Sequence, residues 1–152
     1  MAYAYDHDDE LEPPPLTREA VEAELCDWRR HLTSLFDKLM SWLPDDRAFV
    51  AWQGERPILE SPMRQVGLAF EMFPTLTVKV EATGEGMQFL PEARWVLLTR
   101  GRLFLFHPLG MTYIEDHGQP NAPDWRLYPH RDRSRNVPLT REEFLTLLGG
   151  LQ

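Results

Sequence analysis

A chain of 152 residues, 43% hydrophobic and 26% charged, fits one domain with a substantial core and is too apolar to be disordered throughout. Its formal net charge of −8 disfavours generic duplex binding, because phosphate attraction supplies most of the affinity of non-specific nucleic-acid binders. The lone Cys26 excludes an internal disulfide and a cysteine-built zinc site.

No apolar run approaches the length needed to cross a bilayer, and no charged-then-apolar leader opens the chain, so a cytoplasmic protein with no membrane partner is expected. Arginine dominates the basic residues, with only Lys38 and Lys79 beside it, which fits a GC-rich bacterial genome better than a dedicated guanidinium site. Much of the net charge comes from the start of the chain, where Asp6, Asp8, Asp9, Glu10 and Glu12 stand without a Lys or Arg. Residues 1–14 end in Pro13 and Pro14 and show no apolar period, so they read as an acidic disordered tail preceding a single domain over 15–152. His7, flanked by Asp6 and Asp8, is too isolated on such a tail to be expected to hold a metal.

From Thr17 to Leu43 the residues Val21, Leu25, Trp28, Leu32, Leu35, Leu39 and Trp42 recur at steps of four and three, one side of a long helix. Thr17 is placed to cap it, Leu16 and Val21 have staple spacing, and Pro44 cannot continue it. Such a helix would be about 40 Å long, as much as the breadth of a domain of this size. Phe36, Met40 and Leu43 broaden the stripe in the second half, which is expected to pack on a sheet. The narrower first half, with Val21, Leu25 and Trp28, becomes a candidate contact surface. Cys26, near Trp28, is expected to be a buried or half-buried inert thiol. A coiled-coil dimer seam is the competing reading of the stripe, disfavoured by two bulky tryptophans and a run of barely three heptads.

Beyond Pro44, Arg47 to Trp52 reads as a first strand broken by Gly54 and Pro57. Ser61 to Phe70 is ambiguous between a helical turn and an irregular connection. Leu76, Val78 and Val80 alternate with Thr77, Lys79 and Glu81, and Met87 to Leu90 returns after a turn at Thr83 to Gly86, giving a hairpin. A second hairpin is expected from Arg94 to Phe106, turning at Arg100 and Gly101. Its strands are apolar on both sides, which suits a sheet covered on both faces or one whose spare face is given to a partner. Two helices cannot easily cover both faces, so Phe104 and Phe106 are candidate partner-binding residues. Met111 to Glu115 and Trp125 to Tyr128 supply further strands, and Pro138 to Leu148 a second helix with Thr140 and Glu143 at capping-box spacing.

The fold expected is α+β: a mostly antiparallel sheet of five or six strands packed by a long N-terminal helix and a short C-terminal one. Motifs for zinc proteases, serine hydrolases, phosphate loops and dinucleotide binding are all missing. His107, Glu115, Asp116, His117 and His130 near strand ends are the residues left for catalytic or metal chemistry. Yet His107 and His117 flank one strand and so should lie at opposite ends of the sheet. Arg126, Arg131, Arg133 and Arg135, close to Trp125 and Tyr128, have the composition of a single-stranded nucleic-acid surface, but Asp124 and Asp132 partly neutralise them. A solvated basic loop, able to meet an acidic partner, is the simpler reading. Small size, acidity and surplus apolar surface favour a non-enzymatic protein-binding module of inhibitor, toxin-immunity or assembly-adaptor type. Its partner would be another protein or a second copy of itself, with no cofactor. An acid/base or metal enzyme built on the loop histidines is the alternative.

Overall fold

The computed structural model describes residues 15–45 and 48–151; the tail over 1–14, with His7, and Arg47 lie outside them. Helix α1 runs over Arg18–Ser41, and Thr17 accepts a hydrogen bond from the Ala20 amide at its start. The strands β1 (Phe49–Ile58), β2 (Glu71–Val80), β3 (Gly86–Ala93), β4 (Arg102–His107), β5 (Gly110–Asp116), β6 (Trp125–Leu127) and β7 (Val137–Pro138) follow, with the short helix α2 (Ser61–Gln65) between β1 and β2. Helix α3 (Arg141–Gly149) ends the fold, capped by Thr140, which accepts from the Glu143 amide. All seven strands form one antiparallel sheet in chain order, so the architecture is α+β with one or two more strands than expected. Among the described residues no helix is long and apolar enough to cross a membrane.

Helices α1 and α3 lie on one face of the sheet. Phe144 of α3 meets Phe89 of β3 and Trp42 at the end of α1, while Leu32, Phe36 and Leu39 of α1 join Leu76, Val78, Met87, Phe89, Leu103 and Leu105 in the core. Burying that set supplies the main drive to fold, at about 25 cal/mol per Å² of apolar surface.

The first half of α1 corrects an expectation. Val21, Leu25 and Trp28 are each only 1% exposed, so they form core and present no contact surface. The cover comes from a ribbon: β1 pairs with β2 along ten residues, but β3 pairs with β2 only from Leu76 to Lys79, so residues 54–58 and 71–75 continue beyond the main sheet. With Met63 of α2, this ribbon closes over the helix, and Trp28 meets Phe73 at 4.9 Å between ring centroids. Cys26 follows Leu25 by one residue, a turn of about 100° away from the stripe, and its thiol is exposed rather than buried.

Gly54 and Pro57 do not end β1 either. The strand is an edge, and a proline whose nitrogen points away from its one neighbour removes no ladder bond. The segment expected as a strand from Arg94 to Leu98 is instead a loop. Its turn is closed by the Thr99 amide donating to the Val96 carbonyl at 3.0 Å, and Leu98 takes a left-handed φ of 64°. Glu60 clamps this loop from outside, accepting from the backbone amides of Arg94 and Trp95 at 2.9 and 3.2 Å. Burial pushes the Glu60 carboxyl above its ordinary value against the pull of those two amides.

Candidate functional site: the uncovered face of the sheet

In antiparallel strands, residues directly opposite each other share a face. Along the face away from the helices, Trp52, Thr77, Gln88, Phe106 and Met111 therefore form one cross-strand row, and Leu90, Phe104 and Tyr113 the next. Neither α1 nor α3 packs on this side. Phe106 is 43% exposed and Trp52 44%, while Phe104 is half-buried by its own neighbours. Its ring centroid lies 5.7 Å from that of Phe106 and 5.8 Å from that of Tyr113, so the three rings make a continuous tilted aromatic stripe.

One end of the stripe is closed by a polar hub on Glu115. Its carboxylate is nearly out of solvent yet accepts from three side chains: Arg102 at 2.6 Å, Tyr128 hydroxyl at 2.9 Å and His117 Nε2 at 3.0 Å. Burial opposes ionisation of Glu115, but the hydrogen bonds from His117, Tyr128 and Arg102 together prevail and hold its carboxyl below the ordinary value. Such a carboxylate is a poor proton acceptor and a good anchor. The Arg102 guanidinium lies over Tyr113, its Cζ 4.7 Å from the ring centroid, which ties the hub to the stripe. At the other end, Lys79 and Gln88 border a shallow depression beside Phe106.

The histidines sort into separate places. His107 and His117 stand at opposite ends of the sheet, separated by the length of β5, as antiparallel geometry requires. His130 instead comes to His107, with ring centroids 5.4 Å apart. Both nitrogens of His107 are used: Nδ1 accepts from the Leu109 amide at 3.1 Å, and Nε2 pairs with the Leu147 carbonyl at 2.8 Å, where only an N–H can serve. His107 thus acts as a bracket joining the β4–β5 turn to α3. His130 donates through Nε2 to the Gly110 carbonyl at 2.8 Å, and a cleft of about 150 Å³ lies between this pair, Leu127 and Leu147. Asp116 faces the core, where one carboxylate oxygen accepts from the amides of Gly118 and Asp124 and shapes the loop between them. Among the described residues no three His, Cys, Asp or Glu side chains stand close enough together to share a metal ion.

Arg131, Arg133 and Arg135 are exposed in the loop after β6, at the sheet end opposite the Glu115 hub. Arg126 lies apart from them, paired with Asp124 at 2.9 Å, and Trp125 packs against the core, so among the described residues no aromatic stack accompanies the arginines. Two further exposed apolar residues, Leu97 and Leu98, are 87% and 89% accessible at the tip of the Glu60-clamped loop.

The sequence singles out Glu115 and His117 but not Arg102 as their companion, although the signal for it is there. Arg102, Phe104 and Phe106 alternate in one strand, Met111, Tyr113 and Glu115 in the next, and a short connection between them puts all six on one face. No family model, curated protein or solved structure matches the chain.

Proposed function

We propose that the chain is a protein-binding module that receives its partner on the face of β3, β4 and β5 left open by the helices. The supporting observation is the stripe of Phe104, Phe106 and Tyr113, with Phe106 43% exposed on a sheet whose other face carries α1 and α3. Exposed aromatic side chains on a rigid, hydrogen-bonded scaffold lose little entropy on binding and dominate interface energetics. The Glu115 hub gives this surface a polar rim with its charges already oriented. Inhibitor, immunity and adaptor proteins all work in this way, by occlusion or bridging rather than by bond chemistry.

The test is retention of a native-host partner by the full chain and by two variants of equal charge change. Phe106→Glu, on the stripe, should lose the partner, with affinity falling about 30-fold or more as at an interface hot spot. Leu109→Glu, exposed in the β4–β5 turn and off the stripe, should keep it. Equal retention by both variants, each with a wild-type circular dichroism spectrum, overturns the reading.

A further inference from the structure

The free edge of β1 carries a second surface, independent of the aromatic stripe. The Glu81 amide donates to the Ala48 carbonyl at 2.9 Å, and these two residues are opposite each other in the β1–β2 register. In an antiparallel ladder such hydrogen-bonded pairs recur at every second residue. Val50, Trp52, Gly54 and Arg56 therefore bond to β2, whereas the peptide groups of Phe49, Ala51, Gln53 and Glu55 point outward. Among the described residues nothing meets the backbone groups of Phe49, Ala51 or Gln53 on that side. Pro57 falls in the outward set, where its missing N–H ends any further pairing.

Exposed edges are ordinarily blunted by charge, proline or a bulge. The second half of β1 has Glu55, Arg56 and Pro57; the first half, Phe49 to Gln53, has no charge, no proline and no register shift. Its outer-face side chains, Val50 at 41% and Trp52 at 44% exposure, are apolar as well.

We propose that two copies of this chain associate through β1, antiparallel about a two-fold axis at Ala51. That register is self-complementary: Ala51 meets its counterpart, and Phe49 meets Gln53 of the other copy, so each outward amide finds a carbonyl. Val50 then lies opposite Trp52 of the other copy in the closer, non-hydrogen-bonded pairing, a favourable β-branched and aromatic contact made twice. Moving the axis one residue, to Val50 or to Trp52, would set that side chain against its own copy and lose the Val50–Trp52 contact, and moving it two residues, to Gln53, would put Pro57 opposite Phe49. Ala51 at the axis alone pairs the outward groups of the unprotected segment wholly with one another. The two sheets become continuous, and both aromatic stripes lie on the same side of the dimer.

Sedimentation equilibrium of the full chain, with hydrogen exchange of the β1 amides, tests this. The wild type should be a dimer, with Phe49, Ala51 and Gln53 amides protected in step with dimer population while Val50 and Trp52 are protected at every concentration. Ala51→Pro should weaken association about 10- to 100-fold, through two lost hydrogen bonds and a ring facing the incoming strand. The double variant Val50→Glu with Trp52→Glu leaves the backbone intact, sets acids opposite one another and should also be monomeric. A monomeric wild type with fast exchange at Ala51 overturns the proposal. So does a dimer that survives the double variant, or slow exchange at Ala51 that appears only with a different protein bound. Phe106→Glu should leave the dimer unchanged, which separates failure here from failure of the stripe.

Discussion

Trp28 lies directly over Gly101: a Cβ built on that glycine would fall 2.5 Å from the indole nitrogen. The glycine also has a φ of 139°, a conformation open to few other residues. The close approach seats the start of β4 beneath α1 and positions Arg102 for Glu115. Gly101→Ala should therefore destabilise by about 2–5 kcal/mol, combining overpacking with backbone strain, as read from urea unfolding. A loss below about 0.5 kcal/mol, the ordinary surface effect, would contradict the seating described.

Glu60 holds the loop after β3 by two backbone amides. Glu60→Ala leaves both donors without their acceptor and should cost about 1–3 kcal/mol. The loss should be local: faster amide exchange at Arg94 and Trp95, with β5 and α3 unchanged.

His31 and Glu115 predict two separate acid transitions. Burial lowers the His31 value from 6.5; Asp116 and Asp27 pull it upward, Arg30 and Arg100 push it down, and the net shift is downward. The unfolded chain then takes up the proton first, so stability present above pH 6.5 declines as pH falls below it. Glu115, whose folded value is also depressed, contributes stability above its ordinary 4.5 that is lost as pH falls through the lower folded value. His31→Gln should flatten the decline in stability that sets in below pH 6.5, and Glu115→Gln the decline below pH 4.5. Profiles unchanged by either substitution would remove the assignment.

Leu98 combines a left-handed backbone with 89% exposure, so its side chain contributes almost no packing to offset the strain. Leu98→Gly should be neutral or more stable by up to about 1 kcal/mol, since the relief of strain slightly exceeds the entropy glycine adds to the unfolded state. A destabilisation of about 2 kcal/mol by thermal denaturation would mean that the leucine is packed after all.

The amino-acid sequence by itself determined what depends on near neighbours. Thr17 and Thr140 mark helix starts because a cap bonds an amide three residues away, and the alternation through Leu76, Val78 and Val80 declares a strand with one buried face because side chains repeat every two residues. Phe104 and Phe106 were legible as surplus apolar surface for the same reason. Only the tertiary structure decided which surplus was hidden. Val21, Leu25 and Trp28 look like a free helix face until the β1–β2 ribbon, set by a long-range register, folds over them. Glu115 acquires Tyr128, and His107 acquires His130, through pairings that no local period encodes. Burial and hydrogen-bond partnership belong to the packed chain, whereas caps and periodicities belong to the segment, and the two open surfaces became visible only once packing had covered the rest.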